Sequence, residues 1–354
     1  MTQLQQNTEE AIELLKKLIE IESLSRQEEK VADLMASYLK SKDCEVNRQG
    51  NNVWCWAQKP EPDKPTILLN SHLDTVRPSV KWTYDPFSAT LEDDKLTGLG
   101  TNDAGGPLVA LLSTFLTLKN TDQSYNLVFA ATAEEEVSGQ NGVASILSEL
   151  GNIDLAVVGE PTQMQMAVAE KGLMVLDCEA HGKTGHAARN EGDNALYKAL
   201  PDIEWFRTHQ FEKISPHLGE VKMTVTQIQC GTQHNVVPDS CKFVVDIRLN
   251  ECYSNKELHS IIEKEVNCDV VARSYRLNSS FISLDHPLVQ KGIELGRTYY
   301  GSPTTSDQAV MPFTTLKMGP GDSARSHTPD EYIYLSEIRE GVELYVKLLN
   351  GLIV

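Results

Sequence analysis

Apolar positions along the chain follow two periods, and the change from one to the other lays out its elements. Ile12, Leu15, Leu18 and Ile19 recur at helical spacing behind Asn7 or Thr8 as a cap. Ser25 followed by Glu28 has the pattern of a capping box for a second helix with Val31, Leu34, Met35, Tyr38 and Leu39 inward. Residues 53–57 then read as a strand. Three short, continuous apolar runs follow at 66–71, 127–131 and 154–159, separated by helical stretches at 108–118 and 142–150. Strand, helix, strand, helix, strand predicts a parallel sheet with helices on its faces.

From about Met166 the strands become longer and more amphipathic, at 172–180, 222–229, 242–249 and 270–275, with helices at 194–209 and 254–266. That order predicts an inserted α+β domain with a largely antiparallel sheet. A helix beginning at Pro287, a strand over 315–319 and a helical tail over 333–349 return the chain to the first domain. The fold expected is therefore α/β: a parallel-rich sheet with helices on both faces, from 1–165 and 283–354, carrying an insert over 166–282.

Composition narrows the partners. With 32 basic and 50 acidic residues among 354, the net charge of −18 argues against nucleic acid or an anionic membrane surface. No apolar run reaches the length of a spanning helix, and the first residues are polar and acidic where a signal peptide is basic and then apolar, so a cytoplasmic protein acting on a small molecule is expected. The seven cysteines, at 44, 55, 178, 230, 241, 252 and 268, form no C-x-x-C pair and read as reduced thiols without a nucleophile signature.

The chemistry gathers where strands stop. The 127–131 run leads into Glu134, Glu135 and Glu136, three adjacent acids that either splay into water as a solvated turn or are neutralised by a cation. The neighbouring runs end in His72-Leu73-Asp74 and in Glu160-Pro161, and Asp103 sits in the glycine-rich loop 98–106 just before an apolar helix. In open α/β sheets ligands bind outside the carboxyl ends of the strands, so these groups can converge. Together with His327 they offer two imidazoles and three carboxylates, a nitrogen and oxygen set that suits zinc, with cobalt or manganese as substitutes. If one carboxylate bridges, five groups hold two dications, whose charge three carboxylates and a hydroxide balance. Glu135, left over, is placed to move a proton during amide hydrolysis. Asp74 is placed to accept the His72 N–H and fix its tautomer.

These motifs, with Gly159-Glu160-Pro161-Thr162 and Ser326-His327-Thr328-Pro329-Asp330-Glu331-Tyr332, resemble in order the dinuclear-zinc deacylase and carboxypeptidase family, and most nearly its acetylornithine deacetylases. The resemblance implies that Asp103 bridges two zinc ions, with His72 and Glu160 on one, Glu136 and His327 on the other, and Glu135 as general base. One departure is Glu134, where the family usually has Asp, which leaves a one-residue register question. By the same resemblance the insert is a lid through which a homodimer forms. In it Gly182-Lys183-Thr184-Gly185-His186 supplies a histidine to the partner's site, while Asn235 and Arg248 hold the substrate's α-carboxylate. His181 is a competitor for the role of His186. The substrate implied is an N-acyl amino acid: N-acetylornithine first, N-acetyl- or N-succinylcitrulline second, desuccinylase and dipeptidase activities behind. Within the loop 301–308 a cationic side-chain end would want Asp307 and a neutral one Gln308. Arg325 would either meet a succinyl carboxylate or pair with Asp322 or Asp330.

Overall fold

The computed structural model describes residues 2–354, which form two compact units. The first takes the chain up to Val168 together with Phe281–Tyr300 and Ser306–Val354, and the second takes Ala169–Ser280 and Gly301–Thr305. The loop 301–305, grouped by sequence with the first domain, thus packs with the insert.

In the first unit the main strands are β1 (Val46–Gln49), β2 (Asn52–Trp56), β3 (Thr66–His72), β4 (Asn126–Thr132), β5 (Leu155–Val158), β6 (Met166–Glu170) and β7 (Thr314–Lys317). They lie in the order β1-β2-β4-β3-β5-β7-β6. The central four are mutually parallel and the flanking pairs antiparallel. Burial explains the arrangement, because β3 is buried along its whole length and must be covered on both faces. Ile67, Leu69, Phe129 and Val157 point into a core completed by α1 (Gln3–Ile19), α2 (Glu29–Ser41), α3 (Gly106–Leu118) and the last helix, Leu335–Leu349. Their neighbours Leu68, Val128, Ala156 and Val158 point the other way, onto Val143, Ile146 and Leu150 of α4 (Val143–Leu150). The α/β class with helices on both faces is as the pattern predicts.

Three local expectations change. The first helix begins earlier than Asn7 or Thr8: Thr2 caps it in a capping box with Gln5, and Asn7 and Thr8 are buried inside it. Ser25 and Glu28 form no capping box; Ser25 Oγ donates to Asp74 instead, and Glu28 takes the backbone N–H groups of Arg26 and Glu134. The tail does not turn helical at Ile333, because Tyr332–Tyr334 first pairs as a strand with Lys95–Thr97. There Ile333 packs so close to Gly106 that a β-carbon on that glycine would collide with it.

The second unit is a four-stranded antiparallel sheet in the order Lys222–Cys230, Ser240–Leu249, Gly172–His181, Asp269–Ala272. Helices Ala195–Thr208 and Asn255–Glu265 bury Phe206, Leu258 and Ile262 against Leu176, Phe243 and Val245. Lys222–Cys230 is an edge strand with most of its side chains exposed. Among the described residues no helix is long and apolar enough to cross a membrane.

Candidate metal centre

The groups singled out at strand ends meet within the first unit. His72 is the last residue of β3, Glu134–Glu136 follow β4, Glu160 follows β5, and Asp103 sits in the turn of Thr101–Gly105 ahead of α3. His327, in the loop between β7 and the last helix, adopts a left-handed backbone (φ 58°), uncommon for a residue with a side chain. Two sets of three emerge, His72 with Asp103 and Glu160, and Asp103 with Glu136 and His327; within each set ligand atoms lie within 4.8 Å of one another. Asp103 belongs to both. His72 Nε2 is 3.4 Å from Asp103 Oδ1 and 3.9 Å from Glu160, and His327 Nε2 is 2.9 Å from Glu136 and 3.6 Å from Asp103 Oδ2. Glu135 lies in neither set, yet its carboxylate is 4.0 Å from His72 Nε2.

Three buried carboxylates hold these segments by their backbone N–H groups. Asp74 accepts from the N–H of Glu135 (3.0 Å) and Glu136 (3.2 Å) and from Ser25 Oγ. The group opposite His72 Nδ1 is therefore not the Asp74 carboxylate, at 3.6 Å, but the Asp74 carbonyl, at 2.8 Å, which still fixes the tautomer that leaves Nε2 facing Asp103. Glu331 accepts from the N–H of Gly100, Asn102 and Asp103. The Asn102 side chain meanwhile clasps the backbone of Asp322 and the hydroxyl of Ser326, tying the Asp103 turn to the His327 loop. Glu28 takes the N–H of Glu134.

Glu134 itself turns away. Its carboxylate accepts from the backbone and side-chain amide of Asn141, in a space that exists only because Gly139 has no side chain. Of the three acids, Glu135 and Glu136 face the imidazoles. Glu331 has no role in the sequence pattern, and Glu28 only that of a helix cap with Ser25. Their only sequence signal is adjacency to motifs, which does not distinguish a buried carboxylate from a surface one.

The site's electrostatics ask for cations. Burial pushes Glu135 well above the usual carboxylate range, with the charges of Glu160, Asp307 and Glu136 adding to it. Burial and then Asp103 push Glu160 up to about 8, and burial also raises Glu136. For Asp103, burial is outweighed by His72, Ser326 and His327, which hold it low. The bond to Glu136 lifts His327 to about 9; for His72, burial opposes the charged form but Asp103 and Asp74 outweigh it. Glu136 Oε1 is buried with no hydrogen-bond partner. Crowded carboxylates facing two imidazoles, with an orphaned buried oxygen among them, fit divalent metal.

The remaining candidates lie elsewhere. In the second unit Gly185–His186 pairs with Val236–Val237, and the Asn235 carbonyl accepts from the Ala187 N–H, so His186 and Asn235 are neighbours. His186 Nδ1 accepts from the Ala188 N–H, which leaves Nε2 as the exposed nitrogen. Arg248 is held by Asp246 through Nε (2.9 Å) and Nη2 (3.2 Å), and His181 is paired with Asp269 at 2.8 Å. In the first unit Arg325 pairs with neither Asp322 nor Asp330. It forks onto Glu337 and stacks over Tyr332, while Asp330 binds Thr83 and Tyr84. Asp307 is buried and accepts from Thr132 Oγ1 at the end of β4.

Known proteins resemble this chain in sequence and in fold. The chain is 29% identical over 311 residues to acetylornithine deacetylase of Pectobacterium carotovorum, covering 81% of this chain and 80% of that one. It is 26% identical over 284 residues to succinyl-diaminopimelate desuccinylase of Wolbachia pipientis wMel, covering 75% and 71%. Among solved structures, the Bacillus subtilis YXEP protein, described as a dinuclear metal binding peptidase, superposes with a TM-score of 0.73 at 15% identity, covering 98% of each chain. The sequence profile of peptidase family M20/M25/M40 matches residues 68–351, a span that runs from the His72 strand to the last helix, and the chain belongs to that family of metallopeptidases and amidohydrolases.

Proposed function

We propose that this chain is a two-metal amidohydrolase that cleaves the acyl group from an N-acyl α-amino acid, N-acetylornithine first among the candidates. The observation that carries the reading is Glu135, a largely enclosed carboxylate 4.0 Å from His72 Nε2 that belongs to neither three-residue set. A carboxylate that only ligated or only braced the fold would not be left there. In this reading His72 and Glu160 hold one ion, Glu136 and His327 the other, and Asp103 both; zinc suits the donors, with cobalt or manganese as substitutes. Bound ions would supply Lewis-acid polarisation of the substrate carbonyl and acidify a water. Glu135 receives the water's proton and passes it to the leaving nitrogen.

Arg248 grips the α-carboxylate with the guanidinium edge that Asp246 leaves open, and Asn235 adds an amide donor. His186 offers Nε2 as donor to the developing oxyanion of the partner's site, in a homodimer joined through the second unit. The exposed edge of Lys222–Cys230 is the kind of surface such pairing uses. Arg325 is already neutralised by Glu337, which favours acetyl over succinyl substrates. Asp307 is spent on Thr132, so recognition of the side-chain end falls to other groups.

The test is kcat/KM for acetyl- and succinyl-ornithine and -citrulline and a set of dipeptides, with zinc-loaded wild type and Glu135→Gln. The reading expects an acetylated amino acid to be best and Glu135→Gln to keep its metal while losing turnover by about 10²–10⁴-fold. A dipeptide better than all four acyl substrates would overturn the deacylase assignment. Subunits carrying His186→Ala, mixed with Glu135→Gln subunits, should recover part of the activity, because one hybrid site is then intact; hybrids without activity would place His186 outside the partner's site.

A further inference from the structure

Behind the segments that carry Glu160 and His327, the first unit has a groove of about 560 Å³ that none of the proposed metal ligands lines. Its floor is made where the Gln163 N–H donates to the Gly321 carbonyl and Gln163 Nε2 to Asp322, and its far wall is one face of the last helix. Most of its charges are already spoken for. Arg325 forks onto Glu337, Lys347 lies 3.9 Å from Glu343, and Asp322 binds Gln163 and the Ala324 N–H.

Two opposite charges are left over. Arg297 lines the groove with its Nε buried and without a hydrogen-bond partner, and Glu340 is exposed on the helix wall; among the described residues neither has an ion pair. Leu295, Leu344 and Pro320 supply apolar lining. A guanidinium and a carboxylate that no ion pair neutralises, with apolar surface between them in one groove, match a molecule with a carboxylate, an ammonium and a short aliphatic body. We propose that this groove is a second binding site, for a zwitterionic aliphatic α-amino acid, with Arg297 taking its carboxylate and Glu340 its ammonium. The inference goes beyond the deacylase reading and stands independently of it, since it concerns binding and no turnover.

L-Norvaline is the probe, with pentanoate and butylamine as its single-charge counterparts, titrated by calorimetry into the metal-loaded full chain. Saturable binding of norvaline is expected, at least tenfold tighter than either counterpart, and at least tenfold weaker in Arg297→Ala and in Glu340→Gln. Arg248→Ala should leave it unchanged. Glu340→Gln alters an exposed helix position, so it tests the site even if Arg297→Ala folds poorly. No saturable binding, equal binding in Glu340→Gln, or binding lost in Arg248→Ala, which would place norvaline at the carboxylate anchor of the second unit, overturns the proposal.

Discussion

Stripping the metal should make the fold lose stability as the pH rises, the opposite of what an ordinary set of surface carboxylates does. Glu160 titrates at about 8 in the folded metal-free chain, against about 4.3 for an unfolded glutamate, so between those values the folded chain holds a proton that the unfolded chain has released. Stability then falls with pH, by about 1.4 kcal/mol per unit for each such proton. The other raised groups have the same sign, and Glu331, pushed up to about 8 by burial and then by Asp103, adds a like proton from outside the candidate ligands. Glu135 and Glu136 are raised carboxylates, and the raised His72 and His327 give stability that is complete below about 6.5 and lost as pH climbs through their folded values, about 9 for His327. Asp103 is lowered, but its window lies below pH 4 and does not enter. From pH 5.5 to 8, Glu160 alone removes about 3 kcal/mol, which at about 2–4 °C per kcal/mol for a unit of this size is a fall in Tm on the order of 10 °C. Zinc competes with those protons, so the loaded protein should gain stability over the same range, and the gap between the two curves should widen with pH. Calorimetric Tm values for chelator-treated and zinc-saturated protein at four pH values test this, with Glu160→Gln flattening the metal-free slope by one proton. A metal-free Tm that is flat or rises between pH 5.5 and 8 would refute the reading of these carboxylates as an unpaid cation site.

Asp103→Ala should remove both metals, because Asp103 belongs to both sets of candidate ligands; elemental analysis after zinc loading and desalting should give nearly two equivalents for wild type and nearly none for the variant, and one retained ion would speak against a shared ligand. Glu331→Gln replaces an acceptor of three backbone N–H groups with an amide that offers one oxygen, and metal affinity by chelator competition should fall about 10–100-fold while far-ultraviolet circular dichroism is unchanged. Unchanged affinity would reduce Glu331 to a scaffold residue. Phe129→Ala opens a void at a wholly buried side chain of β4 and should cost about 3–5 kcal/mol in denaturant unfolding, with metal stoichiometry kept near two.

The α/β class and the positions of its elements were legible because burial imposes a pattern. A strand such as β3, covered on both faces, must be apolar throughout, and α3, with nearly every residue buried, cannot be confused with a surface helix. Element ends were less legible, since they depend on single side chains with several possible partners. Ser25 reads as a helix cap by spacing, but Asp74, 49 residues away in sequence, offers a buried carboxylate that needs its hydroxyl more. Ile333 and Tyr334 of the Tyr332–Tyr334 strand fit the helix pattern because they continue the apolar spacing of the helix behind them, while the pairing partner at Lys95–Thr97 leaves no local mark. Arg325 shows the same limit: its two nearby acids in sequence are Asp322 and Asp330, yet the helix brings Glu337 to it with both oxygens placed for a fork.

Carboxylates show most plainly why sequence carries the chemistry of this site but not its construction. Glu28, Asp74, Glu134 and Glu331 are all nearly or wholly buried acids within or beside the motifs, and none of them is among the candidate metal ligands. Each is satisfied instead by N–H donors: three from the Asp103 turn for Glu331, two from Glu135 and Glu136 for Asp74, and the Asn141 amides for Glu134. Glu136 and Glu160 lack that saturation, and Glu136 has an oxygen with no partner at all. What separates a brace from a ligand is therefore whether backbone donors fill the carboxylate's lone pairs, and backbone donors are invisible as letters. The braces also give the site its stiffness. Because Asp74 accepts from the N–H groups of both Glu135 and Glu136, the backbone of neither can shift without breaking a charge-assisted bond in a buried place, which fixes the points from which both side chains start.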